Sequence, residues 1–307
     1  MTSKGAVLWP LLKGDAKIMK KTRKNWTYFW FTVPGFVLYA FFFITPVVLG
    51  IYYSLTDWNG ISQKYNLVGL ENYKKIFQTS QFMDSLSFTF KYTILLIIFV
   101  IVLGISIALL LNRNIKGRSF FRAIYFIPAI LSLLTVGLIF NQICYYIIPE
   151  IGKSLHINIL SQNPLADKTL AMWTILFVNL WQGLAIPTLL FLAGLQSVPM
   201  DLYEVATLDG ATSWEKFRYI TFPFILPVVS VVFVLTLKSG LMVFDYIISM
   251  TEGGPGNSTQ SIAMLIYKHG FTQNKYAYSI AEAIVIGIII AAISAGQIYI
   301  TEKKKAV

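Results

Sequence analysis

The sequence predicts an all-α, polytopic membrane protein of about six transmembrane helices, and three observations carry that reading. Charged residues fill only 13% of the 307 positions and hydrophobic ones 56%, where a soluble domain would carry roughly a quarter charged. Mean hydropathy is +0.65. Six apolar stretches reach the ~20 residues that a hydrocarbon core of ~30 Å demands, near 28–55, 86–111, 121–144, 168–195, 222–249 and 277–301.

The same composition excludes several other classes. One cysteine, Cys144, allows no internal disulfide and no paired-cysteine metal site. Two histidines, His156 and His269, leave little for zinc or for imidazole acid–base chemistry, so neither a metal site nor a catalytic residue is predicted. A net charge of +11 in a soluble chain would point to nucleic acid. In a membrane chain it reflects Lys and Arg retained on the cytoplasmic side, and no nucleic-acid partner is expected.

Residues 1–27 read as a basic cytoplasmic extension whose Trp9, Leu11 and Leu12 are able to touch the membrane surface. Span 1 is too long, and its N-terminal flank too large, for a cleaved signal peptide; it reads as a retained anchor. Trp26, Tyr28 and Trp30 stand where an inner aromatic belt belongs, and Trp58 where an outer one does. Prolines interrupt span 1 (Pro34, Pro46), span 3 (Pro128) and span 4 (Pro187). Either bundled helices simply tolerate them, or the kinks shape a substrate path.

Orientation follows from the basic residues. With the N-terminus inside, the inner segments hold Lys4, Lys13, Lys17, Lys20, Lys21, Arg23 and Lys24 before span 1, then Arg113, Lys116, Arg118 and Arg122 between spans 2 and 3. Lys216 and Arg218 lie between spans 4 and 5, and Lys303 to Lys305 in the tail 302–307. The outer segments hold half as many, at Lys64, Lys74, Lys75, Lys91, Lys153, Lys168, Lys268 and Lys275. This excess predicts both termini in the cytoplasm.

The inner connection 196–222 between spans 4 and 5 carries four of the fourteen acidic residues, Asp201, Glu204, Asp209 and Glu215. It reads as two short helices. Pro199 and Asp201 suit a first turn, where the missing N–H costs nothing and a carboxylate meets the positive end of the dipole. Leu202, Val205, Ala206 and Leu208 form a short apolar face. Gly210 can adopt the left-handed turn that stops the helix. Thr212 with Glu215 is a capping-box pattern for the second. Such an element is either an ordinary structured loop or a lever that docks on a cytoplasmic partner.

Three charged residues lie in the outer halves of spans 5 and 6: Lys238, Asp245 and Glu282. Each costs about 2.5–3.5 kcal/mol at a helix centre unless paired or hydrated. At 100° per residue Lys238 and Asp245 share one face of a continuous span 5, with Thr236, Ser239, Gly240 and Val243 on the opposite, smaller face. Lys238 then pairs with Glu282 or Asp245, or it meets substrate.

Glu204-Val-Ala-Thr-Leu-Asp-Gly-Ala, followed by Ile220-Thr-Phe-Pro223, resembles the EAA motif of bacterial binding-protein-dependent ABC-importer permeases, E-A-A-x-x-x-G with I-x-L-P beyond it. Val205 and Phe222 depart from it and stay apolar. Val68-Gly-Leu-Glu-Asn-Tyr73, Tyr125-Phe-Ile-Pro128, Trp181-Gln-Gly183, Phe244-Asp245 and Thr251-Glu-Gly-Gly-Pro-Gly-Asn-Ser-Thr259 extend the resemblance over nearly the whole chain, toward the maltose and glycerol-3-phosphate permease branch.

The resemblance implies a type I ABC importer permease fold in a bacterial inner membrane, importing a carbohydrate, most naturally an oligosaccharide. It makes 196–222 a coupling loop in which Glu204, Ala206, Asp209, Gly210 and Ala211 meet an ATPase. It also makes the face with Thr236, Ser239, Gly240 and Val243, together with Gln182, Gly183 and Ile186, the substrate path. The implied partners are a second homologous permease, two ATP-binding cassette subunits, an external solute-binding protein and membrane lipid.

No G-x-x-x-x-G-K-[ST] occurs, so ATP and Mg are expected on the partner subunits and no cofactor on this chain. The Gly253–Thr259 segment lacks the P-loop lysine; it is expected to be a tight outer loop facing the binding protein, or plain turn chemistry. Two other readings stand beside the main one. The substrate is an acidic or phosphorylated sugar, such as glycerol phosphate or a uronate oligomer, or the chain is an ion-coupled secondary transporter relaying through Lys238, Asp245 and Glu282.

Overall fold

The computed structural model describes residues 26, 28–113 and 117–305; the side chains of 118, 119, 121 and 298–305 fall outside it. The basic extension with Trp9, Leu11 and Leu12, the loop residue Lys116, the side chains of Arg118 and Lys303 to Lys305, and the end of the tail therefore lie outside the described residues.

Among the described residues the regular structure is helical, with a single isolated bridge, Thr56 to Leu67. Five helices are long and apolar enough to cross a membrane: Tyr28–Ser54, Ser80–Asn112, Leu133–Ser154, Ser213–Leu241 and Tyr276–Gln297. The pair Leu170–Gly183 and Ala185–Gln196, bent by 49°, makes a sixth if it is one broken span. Counted so, the spans are numbered 1 to 6 along the sequence.

The prolines reshape three of them. In span 1, Pro46 cannot donate to the carbonyl four residues back. A π turn over Ala40–Ile44 absorbs the fault, and the Thr45 hydroxyl donates to the Ala40 carbonyl at 3.0 Å. Span 5 repeats the device before Pro223, with a π turn over Phe217–Thr221 and the Thr221 hydroxyl donating to Lys216 O at 3.3 Å. In span 4 the bend falls at Leu184, just ahead of Pro187.

Span 3 departs from expectation. The apolar run 121–144 is not one helix: Arg118–Phe126 and a 3₁₀ turn Ile127–Ile130 around Pro128 come first. The chain then turns extended at Leu131 and Ser132 before Leu133–Gln142 begins. Hydropathy is continuous across this break, so the spanning segment shifts to Leu133–Ser154.

The main core joins spans 2, 4 and 5 with the helices Leu133–Gln142 and Asp245–Met250. Without a hydrophobic driving force between helices in lipid, close approach over small residues does the packing. A Cβ on Gly240 would sit 2.8 Å from Thr93, so span 5 rides directly on span 2 there. A second cluster joins the loop helix Glu71–Gln78, the helix Ile262–Tyr267 and span 6. Span 1 contributes no buried residue from its most apolar window.

The Val68–Tyr73 motif anchors the end of span 1. Asn72 Nδ2 donates to the carbonyls of Ser54 and Thr56, both at 2.8 Å, and the Ser54 and Tyr73 hydroxyls lie 2.7 Å apart. Asp57 accepts the Asn66 backbone N–H at 2.6 Å. That bond, then the Asn66 side-chain amide, holds the Asp57 carboxyl below its ordinary value.

Candidate functional site

The loop between spans 4 and 5 folds as two helices joined by a tight stop. The first runs Met200–Leu208, with Asp201 in its first turn and Pro199 as N-cap. It ends in a Schellman arrangement: Gly210 has φ +76°, Ala211 N donates to Ala206 O at 2.9 Å, and Gly210 N to Thr207 O at 3.1 Å. Gly210 sits in open space, so its requirement is one of backbone conformation alone.

Thr212 then opens the second helix through a full capping box. Its hydroxyl accepts the Glu215 N–H, and the Glu215 carboxylate accepts the Thr212 N–H at 2.7 Å. That helix has no break before span 5; it continues through the π turn to Leu241.

Two contacts lock the loop helices together. The Tyr203 hydroxyl lies 2.8 Å from that of Thr221, and Lys216 Nζ donates to Thr207 Oγ1 at 2.9 Å. Glu204, Val205, Leu208 and Asp209 remain exposed, while Ala206 and Ala211 are half-buried. Those two contacts tie the exposed face of Met200–Leu208 to the helix that runs on into span 5.

The intramembrane charges are arranged differently from the helical-wheel expectation. Span 5 ends at Leu241, and Asp245 opens a new helix, Asp245–Met250. Lys238 and Asp245 nevertheless line one cleft of about 250 Å³, with Asn179, Ser239 and Phe244. Among the described residues no carboxylate lies within ion-pair distance of Lys238. Asn179 is held there by its Nδ2, which donates to the Tyr92 hydroxyl at 2.8 Å.

Glu282 is not the partner of Lys238. It is fully buried, and both its carboxylate oxygens lie within 3.0 Å of His269 Nδ1. His269 comes from the π turn Lys268–Thr272, just outside the start of span 6. Nothing in the periodicity of span 6 links it to Glu282; an acid in an apolar run needs a partner, and only the fold supplies which one.

The small face of span 5 also lies elsewhere than expected. Thr236, Gly240 and Val243 are buried, Gly240 against span 2, and the Val243 carbonyl accepts the Ser261 hydroxyl at 2.6 Å. Ser239 is exposed beside Lys238. On span 4, Gly183 and Ile186 are exposed. Gln182 is buried with both ends engaged: Nε2 donates to Leu131 O at 2.8 Å, and Oε1 accepts the Tyr246 hydroxyl at 2.7 Å. Gln182 thereby pins the break in span 3 to the helix that begins at Asp245.

The glycine-rich loop Gly253–Thr259 folds tightly. Glu252, Gly253, Gly256 and Asn257 all take positive φ, and the Thr259 hydroxyl donates to Gly254 O at 2.6 Å.

Comparison with known proteins gives a consistent set. Residues 100–305 match the family described as Binding-protein-dependent transport system inner membrane component. The multiple sugar-binding transport system permease protein MsmF of Streptococcus mutans is 43% identical, over 93% of this chain and 98% of that protein. The probable starch degradation products transport system permease protein AmyD of Thermoanaerobacterium thermosulfurigenes is 35% identical, over 92% and 96%. A chain in the crystal structure of a bacterial ABC transporter involved in the import of the acidic polysaccharide alginate superposes with a TM-score of 0.78 at 21% identity. It covers 94% of this chain and 99% of its own length, a likeness of fold.

Proposed function

This chain belongs to the family of binding-protein-dependent transport system inner membrane components, and from that premise we propose that it is the permease of an ATP-driven importer that takes a carbohydrate from an external binding protein into the cytoplasm. The observation that carries the mechanism is the loop Met200–Leu208, Gly210 and Thr212, built into span 5 as one lever. The basic-residue bias supports a cytoplasmic position for that loop and for both termini.

Two ATPase subunits, with their ATP and Mg, would grip this loop and its counterpart on a second homologous permease. Glu204 and Asp209 offer exposed carboxylates for ionic contact. Ala206 and Gly210 shape the surface: one takes the terminal loop bond, the other sets the turn. Closure of the ATPases would push the lever and tilt span 5, opening the cavity alternately to each side.

Carbohydrate as cargo rests on the sugar permeases among the relatives. The Lys238–Asp245 cleft favours a neutral sugar over an acidic one. It presents an ammonium, a carboxylate and the Asn179 side chain beside the Phe244 ring. That mixed set matches hydroxyls, which both donate and accept, and its charges balance. An acidic sugar would gain from Lys238 and lose to Asp245.

The test is co-purification. An affinity-tagged chain co-expressed with a candidate ATP-binding cassette subunit from the same organism should retain that subunit, and Gly210→Val should lose it. Valine at φ +76° forfeits the turn by about 1–2 kcal/mol and leaves the spans intact. Retention of the ATPase by the folded variant would remove the loop from the interface.

A further inference from the structure

The largest cleft among those described lies away from the Lys238–Asp245 cleft. It measures about 890 Å³ and runs between the inner half of span 2 and the start of span 5. Its polarity is graded along its length. Toward the membrane centre the wall is Ile101, Val102 and Ile105, and Phe222 faces it from span 5. At the other end stand Arg113, Trp214 and Lys216. From Ile101 to Arg113 the helix advances about 18 Å at ~1.5 Å per residue, the reach of much of one acyl chain.

Charge is segregated as well. The adjoining loop carries four carboxylates, yet none lines the cleft among the described residues. Glu215, the nearest in sequence, is turned into its capping box with Thr212. Lys216 spends one N–H on Thr207 Oγ1, which leaves two. Among the described residues no carboxylate pairs with the Arg113 guanidinium, and the Trp214 indole is largely exposed at the rim.

An amphiphile with an apolar tail along span 2 and an anionic head between two cations fits this gradient; a soluble anion would leave the apolar wall bare. We propose that this cleft binds an anionic phospholipid, with its phosphate at Arg113 and Lys216 and an acyl chain along Ile101, Ile105 and Phe222. Basic pockets beside spanning helices take such headgroups. Because Lys216 and Trp214 belong to the second loop helix, the lipid would brace the loop lever.

Native mass spectrometry of the full chain, purified in mild detergent with whatever subunits accompany it, tests this against phosphatidylglycerol and phosphatidylcholine. The expected result is preferential retention of phosphatidylglycerol, reduced about fivefold by Arg113→Gln or Lys216→Gln and about twentyfold by both. Ser106→Trp, which fills the apolar part and keeps both charges, should give a comparable loss. Lys74→Gln with Lys75→Gln, on the loop helix Glu71–Gln78, should give none. Equal retention of the two lipids, or equal losses from the cleft and control variants, would overturn the site. So would unchanged retention in Ser106→Trp.

Discussion

The hydroxyl of Tyr203 lies 2.8 Å from that of Thr221. One residue adjoins Glu204 in the loop motif; the other sits in the Ile220–Pro223 segment and also closes the π turn ahead of Pro223. The two halves of the motif, separated in sequence by eight residues, are thus one bonded unit. The helix Met200–Leu208 is thereby bonded to the foot of span 5.

Tyr203→Phe removes that bond and little else. A half-buried hydrogen bond contributes about 1 kcal/mol, so the variant should fold normally while uptake falls by roughly fivefold at unchanged ATPase binding. Thr221→Val should do the same, and the double variant should add little. A double-mutant cycle on transport rates measures this coupling.

The His269–Glu282 pair predicts a stability effect. Its members' side chains are 5% and 0% exposed. His269→Ala strands a carboxylate in the bundle and should cost about 3–5 kcal/mol, read as a large drop in melting temperature in detergent. His269→Leu with Glu282→Leu should recover much of it, because no charge is left buried.

Lys238 and Asp245 predict the opposite pattern. Neither is held in an ion pair among the described residues, so Lys238→Met and Asp245→Asn should leave the melting temperature nearly unchanged. If sugar hydroxyls bind there, each lost polar contact should cost about 1–2 kcal/mol of cargo binding, roughly tenfold. Uptake of labelled oligosaccharide at a series of concentrations measures it. A selective rise in uptake of acidic sugars by Asp245→Asn would show that Lys238 sets charge preference.

Asn72 predicts a local stability effect in the loop that follows span 1. Its buried amide closes both the Ser54 and Thr56 carbonyls. Asn72→Ala should cost about 2–3 kcal/mol and expose the first outer loop to protease, measured by limited proteolysis of vesicles.

Much of this architecture is local and was therefore legible in the sequence. Six spans follow from apolar length. The Gly210 stop and the Thr212–Glu215 box follow from short-range chemistry, since every bond in them closes within five residues. One group of misses shares a cause: a hydropathy run and a helical wheel both presume an unbroken helix. Continuous hydropathy conceals the extended residues Leu131 and Ser132, which displace span 3, and the break after Leu241, which sets Asp245 on a new helix.

Tertiary pairing was equally out of reach. Gln182 looks like a channel amide until Leu131 and Tyr246 claim both its ends. Glu282 looks available to Lys238 until His269 reaches it.

ATP-driven uptake in proteoliposomes tests the central claim most directly. The chain is reconstituted with its companion permease, the ATPase and the binding protein, and labelled oligosaccharide is supplied outside. Accumulation should require internal ATP and should be abolished by Gly210→Val at normal permease content. Uptake that persists without the ATPase, driven by an ion gradient alone, would contradict it.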